Sequence, residues 1–67
     1  MIEIFGKDSC PYTRAAVEHY EPQGGVYRNV KKDPAELARM LEFSKGERRV
    51  PVIVENGQVV TIGFGGT

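Results

Sequence analysis

The hydrophobic positions follow two periods in turn. Met1-Ile2-Glu3-Ile4-Phe5 is a short β-branched and aromatic run, which predicts a first strand. A polar loop, Gly6-Lys7-Asp8-Ser9, follows it. The period then changes. Thr13, Ala16, Val17 and Tyr20 fall at i, i+3, i+4 and i+7, one face of a helix. Pro11 suits the first helical position, where its missing N–H would have no partner anyway. Pro22 ends that helix, and Gln23-Gly24-Gly25 turns the chain into a second strand, Val26 to Val30.

The second helix has the clearest start. Asp33 can cap it, Pro34 takes the first position and Glu36 can close a capping box. Leu37, Met40, Leu41 and Ser44 form its face, and Gly46 is its stop, so the helix is expected from Asp33 to Lys45. Two further strands, Pro51 to Glu55 and Gln58 to Ile62, flank Asn56-Gly57, the favoured pair for a type I′ hairpin turn. The order is β-α-β-α-β-β. Strands joined through a helix run parallel with a right-handed crossover, and a hairpin is antiparallel. The expected fold is an α/β sandwich on a mixed four-stranded sheet.

Length and composition narrow the function. The 67 residues are expected to form one domain, residues 1–67. A core of this size supplies no more than about 3–5 kcal/mol without a staple. The chain has one cysteine, Cys10, and one histidine, His19, so it predicts no internal disulfide and no zinc cluster. Nine basic and nine acidic residues balance to a net charge of zero, which argues against nucleic acid or a membrane surface as partner. The opening residues read as a strand and not as a signal peptide, which points to the cytoplasm, where a lone thiol stays reduced.

Cys10 carries the candidate chemistry. The thiolate is the nucleophile, and an ordinary cysteine is mostly protonated at neutral pH. At a strand-to-helix junction the sulfur faces unpaired backbone N–H groups and the positive end of the helix dipole. The Thr13 hydroxyl can donate to the sulfur, and Lys7 can add a nearby positive charge. The competing reading is a small buried hydrophobe. His19 reads as surface structure, because nine residues of helix put it roughly 13 Å from Cys10 along the axis. Tyr27, Phe43 and Phe64 read as core or interface residues.

At this point the residues resemble a family. Cys10-Pro11-Tyr12-Thr13 opens a helix after a strand, Val50-Pro51 leads into the third strand, and Gly65-Gly66 follows the fourth. In this order they are similar to a glutaredoxin, over essentially the whole chain. Thr13 stands where a dithiol member has its second cysteine, and the Cys-Gly-Phe-Ser signature of cluster-binding monothiol relatives is lacking. The chain looks closest to a small bacterial glutaredoxin-like group, some members of which carry selenocysteine at the position of Cys10.

The resemblance implies a thioredoxin-like fold and a monothiol oxidoreductase of cell redox homeostasis and electron transport. Its co-substrate would be glutathione, with no metal, and its partners glutathionylated or disulfide-bearing proteins. Cys10 and Thr13 would be the catalytic pair. Val50 and Pro51 resemble the family's cis-proline junction, where the backbone pairs with bound peptide. Tyr12 would wall the sulfur, or else be a partly exposed helix residue. Arg49, with Arg48 and Lys7 as other candidates, would take a glutathione carboxylate, or else belong to a solvated charged face. Gly65, Gly66 and Thr67 resemble the loop that holds the γ-glutamyl end, against the alternative of a frayed tail. Two other functions stay open: an iron–sulfur or metal carrier using Cys10 and glutathione in a dimer, and a redox-inactive interaction module.

Glutaredoxins continue into a third helix beyond the position of Thr67. Without it, Phe64 and parts of the third and fourth strands are expected to lie exposed, inviting a homodimer or another protein. A natural chain continuing past Thr67 is the other expectation.

Overall fold

The computed structural model describes residues 1–65. β1 (Ile2–Gly6) leads to α1 (Pro11–Tyr20), a 3₁₀ turn (Glu21–Gln23), β2 (Val26–Asn29), α2 (Pro34–Ser44), β3 (Val52–Glu55) and β4 (Gln58–Ile62). The sheet order is β2-β1-β3-β4. β1 and β2 are parallel, while β1–β3 and β3–β4 are antiparallel. This is the expected α/β architecture, with α1 on one face of the sheet and α2 on the other. The element bounds differ from the expected ones by a residue or two. Pro22 sits inside the 3₁₀ turn that extends α1, not directly after it. No helix of the described residues is long and apolar enough to cross a membrane.

Local signals explain most of the elements. Asp33 caps α2 by accepting from the Ala35 amide at 3.0 Å. The expected capping box does not form. The Glu36 carboxylate turns instead to Arg39 at 3.0 Å and Arg28 at 3.4 Å. Two guanidinium groups are stronger partners for a carboxylate than a single backbone amide. α2 ends on Lys45 and Gly46, both left-handed, with the Gly46 amide on the Leu41 carbonyl at 2.9 Å. Asn56 and Gly57 take φ of 52° and 80°, the two positive values that a type I′ hairpin turn requires.

The strand alternation divides the core. Phe5, Val30, Met40, Val52 and Val54 are buried together on the α2 side, with Leu37, Leu41 and Phe43 against them. Ile4, Ala16 and Ile53 form a smaller cluster on the α1 side, with Val17, Tyr20 and Phe64 against them. Glu3 is buried on the α2 side and receives Arg28 at 3.1 Å and Arg39 at 3.0 Å. Arg39 also stacks over the Phe5 ring, 5.3 Å from its centroid.

The expectation of an uncovered α1 face needs correction. Val52, Ile53 and Val54 of β3 are fully buried. After β4 the chain turns at Gly63 and lays the half-buried Phe64 over the small cluster. The Phe64 ring meets those of His19 at 5.7 Å and Tyr20 at 6.0 Å. One aromatic side chain thus covers apolar surface that was expected to be bare. Of the two hairpin strands, only β4 exposes large apolar side chains, at Val59 and Val60. Val60 is the extra residue where the β3–β4 register shifts.

Candidate active site

The site lies where β1 hands the chain to α1. Cys10 is the residue before the helix, extended at φ −94° and ψ 116°, with Pro11 in the first turn. Its amide closes a turn onto the Lys7 carbonyl at 3.2 Å, and its carbonyl accepts from the Arg14 amide at 3.2 Å. The first amides of α1 have no carbonyl four residues back. They are left to point at whatever sits at the helix start, and that is the sulfur.

Cys10 is a free cysteine, only 8 % exposed. Burial is the largest single influence on its ionisation and works against the thiolate. Hydrogen bonds from the Thr13 hydroxyl and from the Thr13 and Tyr12 amides, with the charge of Lys7, together outweigh it. The net result is a thiol that ionises below its ordinary value.

Thr13 is built for this position. It is 1 % exposed, and among the described residues its hydroxyl meets no acceptor besides the Cys10 sulfur. A thiolate is a much stronger acceptor than a neutral thiol, so the threonine favours the thiolate over the thiol. Gly6 makes room for it. A Cβ at residue 6 would lie 3.0 Å from Thr13 Cβ and closer still to its two branches. The end of β1 is glycine because the threonine packs onto its backbone.

Of the other candidate residues, several are brought together. Tyr12 is 40 % exposed beside Cys10 in the chain. Gly65 lies against it, since a Cβ there would stand 3.6 Å from Tyr12 Cδ1. Pro51 is buried, follows a cis peptide bond from Val50 and accepts from the Gly63 amide at 2.6 Å. The start of the tail therefore connects the Val50-Pro51 junction to Tyr12. Arg49 is exposed and spends one donor on the Ile62 carbonyl at 3.2 Å, which ties it to the end of β4. Lys7 faces Cys10 from the preceding loop. Gly66 and Thr67 lie outside the described residues.

Two residues at the site were not expected from the sequence. Tyr27, read there as core or interface, is half-buried on β2 and donates its phenol O–H to Asp8 Oδ1 at 2.8 Å. Asp8 stands two residues before Cys10 and is also paired with Lys32 at 3.6 Å. Asp8, Thr13, Arg14, Val17, Glu18 and Tyr27 line a cavity of about 280 Å³ beside α1. The alternation of β2 could have told that Tyr27 shares a face with α1. Only the path of the loop brings Asp8 to it.

A cysteine with a lowered thiol pKa before a helix, on a mixed four-stranded sheet, is the arrangement of a thioredoxin-fold thiol–disulfide oxidoreductase. The family model of glutaredoxin matches residues 2–60. The chain belongs to the glutaredoxin family. Among solved structures it is similar to the crystal structure of a mutant of the thioredoxin-like protein BC3987. The two share 30 % identity and a TM-score of 0.75, over 97 % of this chain and 88 % of that one. No curated protein matches the chain significantly.

Proposed function

We propose that this protein is a cytoplasmic monothiol glutaredoxin that reduces glutathione mixed disulfides through Cys10. The observation that carries the reading is the Cys10–Thr13 arrangement: one thiol at a helix start, beside a buried hydroxyl that favours its ionised form. Membership of the glutaredoxin family supports glutathione as the co-substrate.

In the proposed cycle the Cys10 thiolate attacks the glutathione sulfur of a protein–glutathione disulfide. The S–S bond breaks, the target's sulfur leaves as thiolate and takes up a proton, and Cys10 becomes glutathionylated. A second glutathione thiolate attacks that disulfide, releasing oxidised glutathione and restoring the Cys10 thiolate. The net reaction consumes one free glutathione and exchanges the protein–glutathione disulfide for a protein thiol and oxidised glutathione, and no second cysteine is needed. Thr13 stabilises the thiolate each time it leaves or forms.

The tripeptide would lie along the exposed Tyr12 ring. The backbone at Val50 and Pro51 would pair with it, Arg49 would receive a carboxylate with Lys7 on the other side of the sulfur, and Gly65, Gly66 and Thr67 would take the γ-glutamyl end. The test is glutathione-dependent reduction of a glutathionylated peptide, natural protein against Cys10→Ser. Turnover in the natural protein and none in the variant is expected. Equal turnover in both would refute the mechanism.

A further inference from the structure

We infer that Tyr27 is a positioning residue for Cys10: its phenol, through Asp8, latches the Lys7–Ser9 loop to β2 and so fixes both the sulfur and Lys7 in place. The inference rests on the reading of Cys10 as the reactive thiol. It does not depend on glutathione being the co-substrate.

The loop is short and exposed, and it sets the reactive geometry. It carries Lys7, whose charge favours the thiolate, and it delivers Cys10 to the start of α1. Within the loop, the turn from the Lys7 carbonyl to the Cys10 amide is long, at 3.2 Å. The Tyr27–Asp8 bond, at 2.8 Å, is shorter and crosses from a different element. The Lys32–Asp8 pair is solvent-exposed on both sides, the kind of contact that contributes little. β2 is held to β1 along its length, with Ile4 opposite Tyr27, so the anchor is a rigid one.

The phenol remains a donor throughout the working range. Burial, the hydrogen bond to Asp8 and the negative charges of Asp8 and Cys10 all push its ionisation upward. The sensitivity to the Cys10 charge also places the ring within electrostatic reach of the sulfur. Tyr27 shares a cavity wall with Thr13, the donor to that sulfur. The charged groups around this wall are Asp8 on the loop and Arg14 and Glu18 on α1, with Lys7 and Lys32 beside Asp8. None of the Arg14 or Glu18 atoms takes part in the latch, which leaves the hydroxyl as the specific element.

The experiment measures the Cys10 pKa from the pH dependence of thiolate absorbance and of alkylation by iodoacetamide. Tyr27→Phe keeps the ring wall and removes only the hydroxyl. It is expected to raise the Cys10 pKa and slow alkylation at neutral pH about three- to tenfold. Asp8→Ala provides a sign test. As a bystander negative charge, Asp8 would disfavour the thiolate, and its removal would lower the Cys10 pKa. As the latch, its removal raises it. Asp8→Asn retains an acceptor oxygen for the phenol while removing the charge, so its Cys10 pKa is expected to stay at or below the natural value, and a raised one would overturn the inference. An unchanged pKa in Tyr27→Phe, even with a lowered melting temperature, would overturn the inference, as would a lowered pKa in Asp8→Ala. Because alkylation needs no glutathione, either result stands apart from success or failure of the turnover assay.

Discussion

The α2 side of the sheet buries Phe5, Val30, Met40, Val52 and Val54 as one cluster and closes its polar edge with Glu3, Arg28, Glu36 and Arg39. The α1 side buries only Ile4, Ala16 and Ile53, is finished by Phe64, and ends at Cys10 and the buried Thr13 hydroxyl. The first arrangement pairs its polar groups with one another; the second sets a buried hydroxyl against a titratable sulfur. The larger apolar cluster lies on one face and the candidate chemistry on the other.

Substitutions on the two faces should therefore separate stability from reactivity. The largest loss of stability is expected from Met40→Ala, a fully buried side chain in the larger cluster. Denaturant unfolding should show about 2–5 kcal/mol lost, with the thiol of the folded fraction unchanged. Phe64→Ala should cost less, about 1–2 kcal/mol, because the ring is only half-buried. It should also expose the small cluster, read as increased binding of a hydrophobic dye. A variant as stable as the natural protein would show that Phe64 does not help to cover the small cluster.

Thr13→Val inverts the pattern. It replaces a buried hydroxyl whose acceptor is a weakly accepting sulfur by a methyl of similar shape, so unfolding stability should hold or rise by up to about 1 kcal/mol. The Cys10 pKa should rise and alkylation at neutral pH should slow, since the donor to the thiolate is gone. Lys7→Gln should move the pKa in the same direction by less, because Lys7 is the smallest of the influences and acts through solvent. High salt should shrink that difference while leaving the Thr13 effect in place.

The same thiol links the two faces through pH. The folded thiol ionises below its unfolded counterpart. Between those two values the unfolded chain binds more protons, so stability rises with pH across that window. The contribution is complete above the unfolded value and is lost as pH falls through the folded one. Cys10→Ser should lose this slope, which melting temperature against pH will read.

Much of the fold was legible because its signals act over a few residues. Asp33-Pro34 starts a helix, Gly46 stops it and Asn56-Gly57 turns a hairpin, each through the backbone conformation of its own neighbours. The strand-to-helix junction at Cys10-Pro11 is equally local, and it was enough to single out the sulfur. Thr13 follows from helical spacing alone.

What escaped the sequence depends on which elements come to lie side by side. The Asp33 amide that would close a capping box with Glu36 donates to the Asn29 carbonyl instead, and the parallel pairing of β1 and β2 brings Arg28 beneath α2 to take the carboxylate. Phe64 follows the last strand, and only the turn at Gly63 lays it over Ile4 and Ile53. Tyr27 and Asp8 are 19 positions apart in the chain and meet because β2 lies beside β1. The sequence by itself determined the elements and the candidate nucleophile, since propensity, capping and turn chemistry are properties of neighbouring residues. The tertiary structure alone decided which face is covered and what holds the reactive loop, because those contacts exist only after the strands have found their order.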